Sequence, residues 1–221
     1  GRHFMAHNNT VIMALSPFRL NPTRFQKTLA LHDYYTADSP AGRALGAVQC
    51  RGKVMPEMLR GRADPLLRRL AGPVSRRSVD FWLMSEDLPL PGNRVTVDGS
   101  GRICLDRRPS NTGAHRALVR LFARHLRRAG LAITLADGRG VDAIQHQCGT
   151  LRFGSDPRSS VLDPWCRTHD VENLWCIDGS FMPSSAAVNP SLTILAQALR
   201  AGTRLRSILA PGAAGQGTVA V

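Results

Sequence analysis

The strongest constraint on the fold is a series of strand patterns joined by short turns in the first two thirds of the chain. Residues 78–84 form a mostly apolar stretch typical of a strand. Residues 93–97 and 102–105 flank the sequence Asp-Gly-Ser-Gly, a turn of the kind that joins antiparallel strands. Further strand candidates are residues 10–15 and 131–135. These patterns together predict an antiparallel sheet.

Two segments with helical spacing accompany the strands. Between residues 111 and 129 apolar side chains recur every three or four positions, and Gly130 stands where a helix C-cap glycine would. Residues 56–70 are helical in pieces, interrupted at Gly61 and Pro65. The sequence therefore predicts an α+β fold, an antiparallel sheet backed by helices.

The pattern changes after residue 145. A histidine opens a glycine loop at 146–154, and an apolar stretch at 174–177 predicts a buried strand that ends in Asp-Gly. An Asn-Pro pair at 189–190 then predicts the start of a helix that runs to about Leu205. Apolar residues within that helix predict that it packs in a core: Leu192, Ile194, Leu195 and Leu199.

Composition limits the class of protein. The hydrophobic fraction of 43% is typical of a globular chain, and no apolar run approaches the ~20 residues that cross a bilayer. The net charge is +13, which leaves an arginine-rich nucleic-acid binder as a remote alternative. The arginines are scattered and aromatics make up only 5% of residues, so we expect no nucleic-acid partner. Binding to DNA with a steep salt dependence would support that alternative.

The five cysteines give little sign of a metal site or a disulfide framework. Their number is odd and no Cys-x-x-Cys pair occurs, so we expect neither bound metal nor paired disulfides. Because nothing indicates paired cysteines, we expect a reducing compartment and therefore a cytoplasmic protein.

Two polar residues after position 145 have side chains suited to chemistry at a hydroxyl group. His146 could act as a base, because the unperturbed pKa of histidine is ~6.5, or it could be a hydrogen-bonded structural residue. Asn189 could cap the following helix, with Pro190 as its first residue.

The ordered set of histidine loop, Asp-Gly step and Asn-Pro helix start resembles the C-terminal signature of the glucose–methanol–choline (GMC) family of flavin-dependent alcohol oxidoreductases. The resemblance implies that a small-molecule alcohol gives a hydride to FAD. It also implies that His146, which opens the family's His-x-x-Gly-Thr segment, is the catalytic base. Asn189 matches the second active-site position, where it would hydrogen-bond the substrate oxygen. The alcohol and the electron acceptor are left open.

The same resemblance implies where FAD would be contacted. Asp178 and Gly179 form the Asp-Gly step that lies near the flavin in the family. Asn189, Pro190 and Ser191 would face the pyrimidine ring, where the positive end of the helix favours the negative charge of reduced flavin.

The start of the chain also resembles the family. Residues 1–7 are similar to its Gly-Arg-x-Leu-x-Asp-His segment, with Ala6 in place of the aspartate. We therefore predict that residues 1–7 are a remnant of the FAD domain and that 8–143 form the substrate-binding domain. Residues 144–206 would be the C-terminal part of the FAD domain, and 207–221 a flexible tail.

No Gly-x-Gly-x-x-Gly fingerprint, the usual cradle of the FAD pyrophosphate, occurs in the sequence. The chain thus resembles the C-terminal portion of a longer enzyme whose N-terminal Rossmann half is absent. We expect it to bind flavin poorly and to be inactive by itself. The alternative is a catalytically inactive fragment, or one half of a split protein that needs a partner with the fingerprint.

Overall fold

The computed structural model describes residues 1–25, 27–61, 65–137 and 145–210. Seven strands and five helices follow one another along these ranges. They are β1 (Asn8–Leu15), β2 (Ala30–Leu31), β3 (Ala47–Cys50), α1 (Pro56–Arg60), α2 (Pro65–Arg69), α3 (Ala71–Ser75), β4 (Ser78–Ser85), β5 (Arg94–Val97), β6 (Ile103–Asp106), α4 (Thr112–Arg128), β7 (Ile133–Asp137) and α5 (Ser191–Leu209). A short 3₁₀ turn, Gly179–Phe181, precedes α5.

The larger sheet has five strands in the order β2-β3-β4-β1-β7, and every neighbouring pair is antiparallel. Strands β1 and β4 are its centre and are almost entirely buried, as expected of strands covered by other elements. Helix α4 packs against this sheet through Leu118 and Phe122. The rings of Phe81 and Phe122 meet edge to face, with centroids 4.9 Å apart.

Several predictions from local sequence are confirmed. β5 and β6 form the expected hairpin, and α1 and α2 are the two expected helical pieces. Gly130, directly after the C-cap residue of α4, has φ +84°, a conformation that glycine adopts without strain. The α+β fold, an antiparallel sheet with helices against it, is therefore as predicted.

A second apolar cluster joins the two ends of the chain. Met5 and Cys148 are buried in it with Leu162, Phe181 and Ala201. Met5, near the N-terminus, thus lies in one core with the segment that follows residue 145. None of the described helices is long and apolar enough to cross a membrane.

Three expectations about the C-terminal region are wrong. Residues 174–177 do not form a buried strand: the structure has one isolated bridge between Arg167 and Trp175, and Leu174 is 46% exposed. Among the described residues, its backbone hydrogen bonds go to Cys166, Thr168 and Val171 of the preceding loop, and it belongs to no sheet. Helix α5 runs to Leu209 rather than about Leu205, so residues 207–209 are helical and not tail.

The third error concerns the packing of α5. Ile194 is partly buried in the second cluster, but Leu192, Leu195 and Leu199 are 80%, 62% and 76% exposed. Strands β2 and β3 and helix α3 were not predicted, because no turn sequence or side-chain periodicity marks these short segments. The predicted domain boundary at 143/144 and tail residues 211–221 lie outside the described residues.

Candidate active site

His7 and His146 face each other because of a short antiparallel pairing. Met5 and Cys148 form an isolated bridge with two backbone hydrogen bonds of 3.0 Å. Continuing that register by two residues in each direction puts His7 opposite His146. The backbone N–H of His7 donates to the Gln145 carbonyl at 3.3 Å, which extends the pairing to the histidines.

The two imidazole rings are in direct contact. Their Nδ1 atoms lie 3.2 Å apart, and the rings meet edge to face with centroids 4.8 Å apart. His7 is fully buried, whereas His146 is partly accessible. Burial lowers the pKa of His7 to about 4 and lowers the pKa of His146 below its usual value. Both rings are therefore neutral near pH 7.

The backbone at His146 is unusual. Its φ is +55°, in the left-handed region that residues with a side chain rarely adopt. Three residues later Gly149 has φ +88°, and a Cβ there would meet Met5 Cε and lie 2.5 Å from the His3 carbonyl oxygen. Glycine is thus required at position 149, where the loop passes directly over the N-terminal segment.

The Asp-Gly step lies against this loop. A Cβ on Gly179 would be 2.8 Å from the Gln147 carbonyl oxygen and 3.6 Å from Ile194 Cδ1. The histidine loop and the first turn of α5 therefore converge at Gly179. Asp178 is exposed, and its carboxylate accepts the Ser180 N–H at 2.8 Å.

The start of α5 differs from the sequence prediction. Pro190, not Asn189, is the N-cap residue, and its carbonyl accepts the Ile194 N–H at 3.0 Å. Pro190 has φ −86° and ψ −7°, values that its ring permits, so the first turn starts one residue later than expected. No side chain caps the helix. Asn189 is exposed and Pro190 is buried, so the Asn189 carboxamide is not used as a cap.

A buried polar network contacts His7 at Nε2, on the side of the ring away from His146. The Ser185 carbonyl lies 2.8 Å from His7 Nε2, and Ser185 Oγ accepts the Asp87 N–H at 2.8 Å. The Asp87 carboxylate is fully buried, and it accepts the backbone N–H of Ala6 at 3.2 Å and pairs with Arg107 at 3.4 Å.

Sequence reasoning missed His7, Ser185 and Asp87. No periodicity or spacing links them, because 178 residues separate His7 from Ser185. The Glu-Asp-Leu-Pro stretch at 86–89 resembled a family turn, but nothing in it indicated that its aspartate is buried. The one usable signal was His7 itself, the last residue of the Gly-Arg-x-Leu-x-Asp-His likeness.

A cavity of about 260 Å³ lies next to Ser185. Its lining includes Ser184 and Ala186, the two sequence neighbours of Ser185, and Glu86, the residue before Asp87. The remaining lining residues are Tyr35, Ala44, Leu45, Gly46, Asn111 and Ala187. Part of its wall thus belongs to residues 20–75, where local patterns in the sequence were weakest.

Metal and disulfide chemistry have no visible basis in the parts of the chain that the structure describes. Within those residues no group of three or more metal-ligating side chains occurs. All five cysteines are free thiols. Burial raises the pKa of the Cys148 thiol to about 12, so that thiol is protonated and unreactive at neutral pH.

Comparisons with known proteins converge on one family. The family model described as GMC oxidoreductase matches residues 99–198. Paromamine 6'-oxidase of Streptomyces fradiae is 31% identical over 195 residues, covering 84% of this chain and 34% of that protein. The 6'''-hydroxyparomomycin C oxidase of Streptomyces lividus is 37% identical over 133 residues, covering 56% of this chain and 24% of that protein. The chain thus spans about a third or less of these relatives.

Solved structures agree on the fold. Pyridoxine 4-oxidase from Mesorbium loti matches with a TM-score of 0.55 at 19% identity, covering 93% of this chain and 43% of that one. A mutant of formate oxidase from Aspergillus oryzae RIB40, described for the effect of the mutation on FAD modification, matches with a TM-score of 0.53 at 12% identity. It covers 94% of this chain and 47% of that one.

Proposed function

The chain belongs to the GMC oxidoreductase family, and from that premise we propose that it is the C-terminal portion of an FAD-dependent enzyme that oxidises an alcohol CH–OH group to a carbonyl. His146 is the base and Asn189 orients the substrate oxygen. The observation that carries the proposal is the neutral, partly accessible His146 ring, fixed by His7 at the junction of the two ends of the chain.

The proton inventory of the reaction suits His146. Oxidation of an alcohol removes the hydroxyl proton together with a hydride from carbon, and FAD, when bound, would accept the hydride. A neutral imidazole has one nitrogen lone pair ready for the proton. Burial lowers the pKa of His146, so at pH 7 the ring is in the form that accepts a proton rather than already protonated.

Asn189 has a side chain available for the substrate. The structure describes no hydrogen bond from its carboxamide to any described residue, and it does not cap α5. A carboxamide N–H can donate to a hydroxyl or developing carbonyl oxygen. The convergence of the histidine loop and the α5 start at Gly179 supports placing Asn189 and His146 at one reaction centre.

The residues at the start of α5 fit a flavin. Ser180 Oγ is buried and has no hydrogen-bond partner among the described residues. Buried hydroxyl groups normally have a partner, and a bound flavin would supply one here. The first N–H groups of α5 have no side-chain cap and lie at the positive end of a 19-residue helix. Asp178, Gly179, Asn189, Pro190 and Ser191 would hold the FAD ring system there.

The substrate would enter through the cavity beside Ser185. Its lining includes both polar groups, such as Glu86 and Asn111, and apolar ones, as is usual for a small-molecule site. The relatives are named for oxidising paromamine and 6'''-hydroxyparomomycin C, so polyhydroxylated amines are the first alcohols to assay. We keep the cytoplasm as the proposed location, with free thiols as its support.

The alternative is a chain that is inactive until a partner polypeptide supplies the dinucleotide-binding fingerprint. The observation consistent with it, as with a longer single enzyme, is the exposed apolar stripe of α5, formed by Leu192, Leu195 and Leu199. The opposite face of α5 is already buried through Gln197 and Ala201. Exposed apolar patches commonly mark interaction surfaces, so the stripe is suited to a further part of an FAD-binding domain.

The two readings differ in what lies upstream, and both predict that this chain alone binds flavin weakly. An open frame that continues upstream into Gly-x-Gly-x-x-Gly supports one enzyme, and a separate gene for the fingerprint supports a split protein. Flavin fluorescence titration of the purified 221-residue chain should show weak binding. Stoichiometric yellow protein would contradict that expectation.

The role of His146 is tested in a polypeptide that contains the fingerprint. His146→Ala should slow flavin reduction by the alcohol by on the order of 100-fold or more. His32→Ala, at an exposed histidine far along the sequence from the loop, is the matched control and should reduce flavin at the wild-type rate. An unchanged rate in His146→Ala removes this residue from the reaction.

A further inference from the structure

We propose that His7 is a positioning residue that fixes the tautomer of His146, so that Nδ1 of His146 carries its proton and Nε2 is the proton-accepting atom. The inference rests on the proposed function for its chemical meaning. Its structural content, the tautomer itself, can be measured independently of catalysis.

The argument starts at Ser185. Its backbone carbonyl oxygen lies 2.8 Å from His7 Nε2, and a carbonyl can only accept a hydrogen bond. Nε2 of His7 must therefore carry a proton. The Ser185 backbone is held in place because its side-chain hydroxyl bonds to the backbone N–H and carbonyl of Asp87.

The next step concerns the charge of His7. The ring is fully buried, and burial keeps it neutral at pH 7. The charged groups behind it are the Asp87 carboxylate and the Arg107 guanidinium, which pair with each other. A neutral imidazole has one N–H, and here it is on Nε2. Nδ1 of His7 is then a lone pair that can only accept.

The tautomer of His146 follows from the contact between the rings. Two Nδ1 atoms 3.2 Å apart need one proton between them, and His7 cannot supply it. His146 Nδ1–H therefore donates to His7 Nδ1. The remaining nitrogen, Nε2 of His146, is unprotonated and is the base.

The arrangement also suits the protonated state that follows. When Nε2 takes the hydroxyl proton, the imidazolium keeps its Nδ1–H bond to the His7 lone pair, and a hydrogen bond from a charged donor is stronger than one from a neutral donor. The left-handed backbone at His146 is a sparsely populated conformation, which the surrounding structure must hold in place.

Nitrogen NMR tests the tautomer on the chain as it is. In ¹⁵N-histidine-labelled protein at pH 7, two-bond ¹⁵N–¹H correlations distinguish a protonated from an unprotonated ring nitrogen. We expect His146 with Nδ1 protonated and His7 with Nε2 protonated. A wild-type spectrum showing His146 protonated at Nε2 overturns the inference, and this result does not depend on any variant folding.

Two substitutions separate positioning from packing. His7→Leu removes the acceptor, and His146 should move to the Nε2–H form, which is the commoner one for a free imidazole in water. His7→Asn provides a carboxamide oxygen that can accept the Nδ1–H, and it should keep the wild-type tautomer. If His146 keeps its tautomer in folded His7→Leu, as judged by the circular dichroism spectrum, His7 does not set it.

Activity provides the second readout, in a polypeptide that carries the fingerprint. His7→Leu should lower kcat by about tenfold or more with little change in KM, and His7→Asn should recover most of the loss. The two proposals fail in different ways. If NMR shows the expected tautomer but His146→Ala reduces flavin at the wild-type rate, only the proposed function is wrong. If NMR shows the opposite tautomer and His146→Ala is inactive, only the role of His7 is wrong.

Discussion

The Asp87 carboxylate accepts the backbone N–H of Ala6 at 3.2 Å, deep within the protein. Ala6 stands where the resembling family segment has an aspartate, and the structure places another carboxylate directly against that position. Because Asp87 also holds Arg107 and the Ser110 hydroxyl, one side chain joins the N-terminal segment, the β4–β5 connection and the approach to α4.

Loss of Arg107 should destabilise the protein strongly. Its side chain is only 7% exposed and Asp87 is fully buried, so Arg107→Met leaves a buried carboxylate without its counterion. We expect a loss of about 3 kcal/mol in the free energy of unfolding, measured by urea denaturation. Arg102→Met breaks the exposed pair with Asp98 and should lose less than about 1 kcal/mol. Equal losses in the two variants would show that the buried pair has no special weight.

A side chain at position 149 should disrupt the histidine loop. Gly149→Ala meets both an unfavourable positive φ and the His3 carbonyl. Gly101 has a similar φ of +83° but open space around it, so Gly101→Ala reports the backbone strain alone, about 1 kcal/mol. Thermal and urea unfolding should show a loss for Gly149→Ala that is larger by about 1–3 kcal/mol. A smaller loss at 149 than at 101 would contradict the close approach.

Stability should fall between pH 6.5 and pH 4, in part through His115. This ring is buried between α4 and the sheet, where it bonds Thr10 and Ser85, and burial lowers its pKa to about 4. In the unfolded chain His115 becomes protonated near pH 6.5, whereas in the folded chain it stays neutral down to about pH 4. Its contribution to stability is therefore complete above this window and is lost progressively as the pH falls through it.

The pH effect is measured as urea unfolding free energies at pH 7, 6 and 5. His115→Gln should reduce the slope within the window by up to ~1.4 kcal/mol per pH unit, while lowering stability at pH 7 through imperfect packing. A slope that is the same in both proteins would mean that His115 is not charged differently in the folded and unfolded states.

The exposed stripe of α5 should matter for association and not for folding of this chain. Leu199→Gln should change the free energy of unfolding by less than about 0.5 kcal/mol, because the side chain is 76% exposed. It should also lower the binding of a hydrophobic dye and the tendency to self-associate. Leu118→Ala, at a fully buried position of α4, should lose about 2–5 kcal/mol. A large loss in Leu199→Gln would show that the stripe is already packed.

Local sequence was sufficient for the regular elements. The hairpin β5–β6, the central strands β1 and β4, and helix α4 with Gly130 after it were all predicted, because turn residues and side-chain periodicity act over a few positions. The short strands β2 and β3 were not predicted. Two to four residues carry too little periodicity, and only pairing along β4 makes them strands.

The candidate site divides in the same way. His146, Gly179 and the start of α5 were proposed as site residues from the order of motifs within one segment of the chain. For Asn189 the sequence left two roles open, a helix cap or a substrate contact. The carbonyl of Pro190 takes the first helical bond, and the sequence could not show which of the two adjacent residues would do so.

By itself the sequence determined the antiparallel sheet, its covering helix, and a histidine in a glycine loop, since all of these depend on neighbouring residues. Only the tertiary structure decided that His7 contacts His146, that Ser185 contacts both His7 and Asp87, and that one face of α5 is exposed. The contacts among these residues join positions 81 to 178 apart in the sequence. They arise from the register of two pairing segments and from burial, which no local pattern encodes.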